Sequence, residues 1–402
     1  MTEPPVSQLL SVAQAIAILD ATPVHPRIQR IPLQSASTRR LAQDLIADRD
    51  DPPFEKSLMD GYALRAADGN TRRIIGDIPA GQSSTRPIEP GQAMSIMTGA
   101  PLPPGADTVV PIEQTTRDGT TLHLQLTPQL GQAIAPRGQD CRAGTTVLYK
   151  GTTLGPAQIA VAAAMGAATV DVFARPRVAI LSTGNEIVPV DQRPGAAQIR
   201  NSNSHMLLAL LTRLGCDVID LGIVADEPEL IRTKLEEGMD NDALFVTGGM
   251  SMGEYDYVPR LLAEIGVELR ISKLRIKPGK PFVLGVRAGD AGDRFVFGLP
   301  GNPVSGYVCT LRLASRLLAR MSGGAAAADG FITASLDAPL PPNGSREFYQ
   351  PALLDEAGAV LPLQWKGSAD IYTLASANAL IRREEDAPAL PAGAKVQCIR
   401  MP

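Results

Sequence analysis

The chain has 402 residues, with 38 Lys and Arg against 42 Asp and Glu, a formal net charge of −4. That balance argues against a protein that holds nucleic acid by bulk charge and leaves room only for a local basic patch. With 44% hydrophobic and 20% charged residues, disorder over most of the length is also excluded, and at ~150 residues per domain the length predicts two to three domains.

The opening MTEPPVSQLL has no basic n-region, so no secretory leader is expected. The longest apolar stretch, IAVAAAMGAATV at 159–170, falls short of the ~20 residues a membrane helix needs. Cys141, Cys216, Cys309 and Cys398 form no CxxC pair and read as reduced thiols of a cytoplasmic protein. His25, His123 and His205 are scattered, with neither zinc spacing nor a triad partner.

Apolar residues at helical spacing over 7–19 predict a helix, with Ser7 as its N-cap. Residues 54–135 change character. Short β-like runs such as TVVPIEQ and TLHLQLT are cut by Gly and Pro, which predicts a β-rich insertion. Residues 152–169 return to helix, so 1–53 and 136–176 are expected to form one discontinuous α-rich domain around that insertion. Residues 177–326 alternate near-continuous apolar strands with helices, which predicts a three-layer α/β/α domain on a mostly parallel sheet. Residues 327–402 carry short strands between Pro/Gly turns and predict a small β-barrel. The fold class is thus multidomain, α/β plus two β-rich parts.

In an open α/β sheet, ligands bind outside the carboxyl ends of the strands. Here RVAILS runs into TGNE, ALFV into TGGMSMGEYD, and FVFG into LPGNPVS. Three such Gly-rich loops on one sheet point to an anionic ligand, because free N–H groups in nests and at helix starts attract anions. Neither GxGxxG nor GxxxxGK[ST] is present, which disfavours a dinucleotide fold and a P-loop. Glu186, Glu254 and Asp256 sit within or beside these loops, and carboxylates next to an anion site point to Mg²⁺. For Asp226, at a helix start, capping and function stand level. Lys277 and Lys280, on the Pro/Gly turn IKPGKP, read as an oxyanion clamp.

MDGYA (59–63), MTGAPLPPGADTVV (97–110), STGNEIV (182–188), TGGMSMGEYDYV (247–258), KPGKPF (277–282) and GLPGNPVS (298–305) occur in one order. With the weaker echo GSADIYTLASANALI (367–381), they resemble the molybdopterin molybdenumtransferases, the MoeA proteins and the E domains of gephyrin and its plant counterpart. The resemblance implies an L-shaped, four-domain homodimer in which 1–53 with 136–176 serves dimerisation. It also implies transfer of molybdenum from molybdate to adenylylated molybdopterin, Mg²⁺-dependent, with AMP leaving. An adenylyltransferase supplying the pterin and apo-molybdoenzymes or their chaperones are the implied partners, with no nucleic acid and no membrane.

The same resemblance carries roles onto residues. Asp60, Thr98, Asp140, Glu186, Asp226 and Asp256 match the family's acids and hydroxyl. Glu186, Asp226 and Asp256 are then the Mg²⁺ ligands, and Lys277 and Lys280 attract molybdate. Pterin and phosphate would lie in loops offering Ser182, Thr183, Gly184, Gly248, Gly249, Ser251, Gly253, Pro300, Gly301, Asn302 and Pro303. Asn201 stands where many members have Asp, so it is expected to hydrogen-bond ligand rather than metal. Ser345 stands where members carry the Arg of GRxEF, and Arg346, one place later, is not carried over. A molybdopterin-binding scaffold and a molybdopterin adenylyltransferase are the alternatives.

Overall fold

Helix α1 (Val12–Ala21) starts at Ser11, whose hydroxyl accepts from the Gln14 N–H while the Gln14 side chain accepts from the Ser11 N–H. This capping box moves the start past the expected Ser7, which lies outside the described residues, because Gln14 is three residues after Ser11 and closes the reciprocal bond. The computed structural model describes residues 9–250, 257–289, 292–324 and 329–402. The chain divides into two units, one holding the stretch up to Gln29 with Phe173–Pro402, the other Arg30–Val172.

In the Arg30–Val172 unit, six strands form one sheet in the order Thr108–Pro111, Gly61–Leu64, Gln92–Ile96, Thr71–Ile78, Thr121–Leu124, Thr115–Asp118. Alternation sends Tyr62 and Leu64 into one apolar cluster and Ala63 into another, so both faces are covered. Around Leu41, Leu154 and Val172 a third cluster forms under α2 (Pro156–Ala164). The parts of this unit outside the insertion hold that one α-helix, a single 3-10 turn at Leu33–Ser35 and two two-stranded ladders, so they are less helical than their Ala-rich sequence predicts.

The other unit is built on a six-stranded sheet in the order Asp217–Val224, Arg177–Thr183, Ala243–Thr247, Arg294–Leu299, Val283–Arg287, Glu268–Ile271. The first four strands pair in parallel and the last two antiparallel. Along the chain come α3 (Asn203–Arg213), α4 (Pro228–Gly238), α5 (Val258–Glu264), α6 (Pro303–Cys309), a π turn (Thr310–Ala314) and α7 (Ser315–Met321).

Strand alternation divides the core. Val178, Ile180, Phe245 and Phe297 pack with α3, α6 and α7, while Ala179, Leu181, Leu244 and Val246 pack with α4 and α5. Each large apolar side chain so buried contributes about 1.5–3 kcal/mol. Val12, Ala15 and Leu19 of α1 join the first of these clusters with Leu317 and Leu318. The helix therefore belongs with the α/β core and not with the 136–176 segment that the sequence paired it to, because its buried face matches α7.

The last segment forms a closed ring of five strands: Glu347–Leu354, Ala359–Pro362, Phe331–Leu336, Lys395–Arg400 and Ala379–Arg383, which pairs back to the first. The short strand Ile276–Lys277 adds in parallel to Glu347–Leu354. α8 (Ile371–Ser376) follows a loop on this barrel. No helix among the described residues is long and apolar enough to cross a membrane.

Candidate active site

Three parallel neighbours, Arg177–Thr183, Ala243–Thr247 and Arg294–Leu299, end at one edge of the sheet, with Ser182 level with Thr247 and Thr247 level with Leu299. Their Gly-rich loops therefore open side by side, as the sequence pattern predicts. Gly184 has φ 143°, and a Cβ there would meet the Glu186 carboxylate at 2.5 Å. At Gly248, φ is 88°, and a Cβ would run into the Thr183 carbonyl. Glycine is what lets these two loops lie against each other.

Asp226 is not a helix cap. Glu227 is the N-cap of α4 and makes no side-chain cap bond. The Asp226 carboxylate instead accepts the Asn185 N–H at 3.2 Å, and the Asn185 side-chain oxygen accepts the Asp226 N–H at 3.1 Å. This clasp ties Asp226 to the residue that precedes Glu186. Among the described residues no group of three His, Cys, Asp or Glu gathers to hold a metal. Ser251, Gly253, Glu254 and Asp256 lie outside the described residues.

Ser182 and Asn201 are engaged with each other inside the fold. Both are buried, and the Ser182 hydroxyl accepts from Asn201 Nδ2 at 3.0 Å and from Thr247 Oγ1 at 3.1 Å. The Asn201 side-chain oxygen accepts the Ser204 N–H at 3.2 Å. These groups pin strand ends to the start of α3. Asn203, which sequence reasoning passed over, donates from Nδ2 to the Gly301 carbonyl at 2.7 Å and holds the Pro300–Pro303 loop. Its side-chain oxygen and Thr183 Oγ1 are buried with no hydrogen-bond partner among the described residues. Buried polar atoms are nearly always paired, so these two are groups a ligand or water would satisfy.

A cleft of about 260 Å³ adjoins the last of these loops, at Pro300, Asn302 and Ser305. One wall is the turn Lys277–Pro281 with Pro300, Asn302 and Ser305. The other is Arg346, Trp365, Gly367 and Ser368 of the barrel. The turn is pinned by the Leu274 N–H to the Lys280 carbonyl at 2.8 Å and by the Phe282 N–H to the Gly279 carbonyl at 3.1 Å. Beneath it, buried Cys309 lies so close to Gly279 that a Cβ there would strike its Sγ. None of the lining residues is acidic, and Lys277, Lys280 and Arg346 have no carboxylate partner among the described residues. Three uncompensated cations in one concavity make a site for a multiply charged oxyanion.

Sequence reasoning named the two lysines and left out Arg346, Trp365 and Ser368. Arg346 was readable only as one place off a motif. The single tryptophan in the chain was the other signal, unread.

Asp60 and Thr98 lie in the Arg30–Val172 unit. The Thr98 N–H and hydroxyl both donate to one Asp60 oxygen, at 2.7 and 2.6 Å, which holds the Asp60 carboxyl below its usual range. Asp140 is exposed in the turn after Arg137, with its N–H on the Asp51 carbonyl, and no hydrogen bond joins it to Asp60 or Thr98 among the described residues. Arg137 is engaged by Asp50 at 2.6 Å.

Comparison with known proteins gives matches along nearly the whole chain. Residues 10–166 match the MoeA N-terminal region (domain I and II), 179–320 the "Probable molybdopterin binding domain", and 333–401 the MoeA C-terminal region (domain IV). A protein of Mycobacterium tuberculosis named molybdopterin molybdenumtransferase 2 is 35% identical over 390 residues, 91% of this chain and 93% of its own. A molybdopterin molybdenumtransferase of Nostoc is 34% identical over 329 residues, 79% of this chain and 75% of its own. Two solved structures of a molybdopterin biosynthesis MoeA protein from Pyrococcus horikoshii superpose with TM-scores of 0.86 and 0.82. They are 29% and 27% identical, cover 98% of this chain, and are themselves covered to 99% and 100%.

Proposed function

The chain belongs to the MoeA family of molybdopterin molybdenumtransferases, enzymes of molybdenum cofactor biosynthesis, and from that premise we propose that it transfers molybdenum from molybdate to adenylylated molybdopterin, with AMP released. The observation that carries the site assignment is the cleft of Lys277, Lys280 and Arg346, three cations without a carboxylate partner among the described residues. Molybdate is a tetrahedral dianion, and such a cleft offsets its charge where solvent screening is weaker than on an open surface. The Gly-rich loops next to it, with Thr183 and Asn203 offering unpaired polar atoms, take the pterin and its phosphates.

Mg²⁺ fits the residues present in one respect. Glu186 and Asp226, joined through the Asn185 clasp, are a donor set of the size Mg²⁺ takes beside phosphate oxygens. Bound there, the ion would neutralise phosphate charge. The protein's own part is to hold Asp226 oriented and to keep the lysines on a fixed turn. Homodimer formation, supply of the pterin by an adenylyltransferase, delivery to apo-molybdoenzymes or their chaperones, and a cytoplasmic site of action belong to the same proposal. They are supported by the family's resemblance and, for the last, by four cysteines that are all unbridged.

The test is incubation with adenylylated molybdopterin, Mg²⁺ and molybdate. The proposal expects AMP release that depends on molybdate. Consumption of ATP would mark an adenylyltransferase, and binding without turnover a scaffold.

A further inference from the structure

One of the cleft's residues and an aromatic neighbour of Lys277 sit on one barrel strand and its approach. Arg346 immediately precedes the strand Glu347–Leu354, and Phe348 is its second residue. Phe348 stands level with Lys277 in the parallel pairing, and the Lys277 Nζ lies 4.6 Å from the centre of its ring. Trp365 also stacks with Phe348, their ring centres 5.3 Å apart. An ammonium over an aromatic face is held by the ring's quadrupole.

Alternation along a strand sends the intervening residues the opposite way. Glu347 and Tyr349 point into the interior, 7% and 0% exposed. There the Tyr349 hydroxyl donates to Glu347 and accepts from Arg312 Nε at 2.6 Å. Glu347 also accepts from Arg382 at 3.1 Å, and Arg312 and Arg382 both lie over the Phe331 ring. Arg312 itself is 5% exposed and sits in the π turn of the helix that begins at Pro303. One phenol oxygen thus joins the helix leaving the Pro300–Pro303 loop to the strand that carries the opposite wall. Burial raises the Tyr349 phenol well above its ordinary range, which keeps it neutral and able to donate and accept at once.

We propose that Tyr349 is a positioning residue for the oxyanion cleft, fixing the Arg346–Phe348 edge against Lys277 through the Arg312–Tyr349–Glu347 chain of hydrogen bonds. The proposal rests on the cleft's being the molybdate site. It goes beyond that assignment by naming a residue that never meets the anion and yet sets the geometry of the cations that do. Tyr349→Phe deletes one oxygen, keeps the ring, and leaves Arg312 Nε and a Glu347 oxygen unpaired in a buried place. The wall then loses its side-chain hydrogen bond to the π turn that follows the Pro300–Pro303 loop.

The experiment is calorimetric titration of the intact protein with molybdate alone, alongside fluorescence of Trp365, the only tryptophan. Val396→Ala, a cavity in the barrel core away from the cleft, serves as the control for plain destabilisation. Tyr349→Phe is expected to weaken molybdate binding about fivefold or more, the worth of one buried hydrogen bond, and to alter the Trp365 emission. Val396→Ala should lower Tm and leave molybdate affinity at the wild-type value. Wild-type affinity in Tyr349→Phe, or an equal loss in Val396→Ala, overturns the positioning role while leaving the cleft assignment standing. No molybdate binding by the wild-type protein overturns both.

Discussion

Asn185 and Asp226 hold each other by two reciprocal hydrogen bonds, each one's N–H donating to the other's side chain, at 3.2 and 3.1 Å. The clasp fixes a carboxylate at the mouth of the sheet without burying it. Asp226→Asn retains a side-chain oxygen for the Asn185 N–H but removes the charge. It should fold with unchanged Tm and lose molybdenum transfer by about a hundredfold, the range seen when a single electrostatic group leaves an active site. Asn185→Ala should keep the charge and loosen its placement, so that the Mg²⁺ concentration for half-maximal rate rises. The measurement is rate against Mg²⁺ for the three proteins, and an unchanged Mg²⁺ dependence in both variants would remove the metal role from Asp226.

Lys280→Ala removes an exposed cation from the cleft. The molybdate concentration for half-maximal rate should rise about tenfold or more, since a charge-assisted hydrogen bond contributes roughly 1.5–3 kcal/mol. Dependence on the pterin substrate should change less. Arg346→Ala should behave in the same way, although it lies one place beyond the family's GRxEF arginine. Steady-state kinetics with each substrate varied in turn separates the two; loss of pterin affinity at unchanged molybdate dependence would place these cations on the phosphate side.

Gly248→Ala forces a side chain onto a residue with φ 88°, against the Thr183 carbonyl. Strain of this kind costs about 1–3 kcal/mol, and the loop must also shift. Denaturant unfolding should show that loss of stability, and activity should fall with it. Full stability and activity would mean that the loop has room which the structure does not show.

Asp370 shapes the loop that presents Gly367 and Ser368 to the cleft. Its carboxylate accepts from the Lys366 N–H, the Thr373 hydroxyl and the Thr373 N–H, and these bonds lower its pKa to about 2. Because the folded value is depressed below the ordinary 3.8, the stabilising contribution is fully present above pH 3.8 and is lost as pH falls through about 2. The Asp60 carboxyl, lowered by the Thr98 hydroxyl and N–H, follows the same sign. A carbon-detected NMR titration should find both midpoints below the usual carboxylate value, and Thr98→Ala should return Asp60 upward. A midpoint for Asp60 that does not move in Thr98→Ala would contradict the hydrogen-bond origin of the shift.

Much of the sheet was legible because its strands are buried on both faces. RVAILST, ALFVT and RFVFGL read as strands from apolar continuity alone, and their parallel pairing puts the three Gly-rich loops at one edge. The lysines were legible because Pro and Gly around them mark a rigid turn. Other features were not. Ser7 and Ser11 both precede apolar residues at helical spacing, and only the bond from Gln14 decides between them. Asn201 is expected at the ligand because it stands where many members have Asp, but its bond to Ser182 depends on strand ends that only the fold brings together. Arg346 and Trp365 reach the cleft only because a barrel strand pairs with Ile276–Lys277, a contact between distant segments that no local pattern reports.

Crystals soaked in molybdate and measured on both sides of the molybdenum absorption edge test the central claim most directly. The account predicts one anomalous peak in the cleft, within hydrogen-bond distance of the Lys277, Lys280 and Arg346 side chains, and its disappearance in Lys280→Ala at the same molybdate concentration. A peak at full occupancy elsewhere in the molecule, with the cleft free of molybdenum, would contradict it.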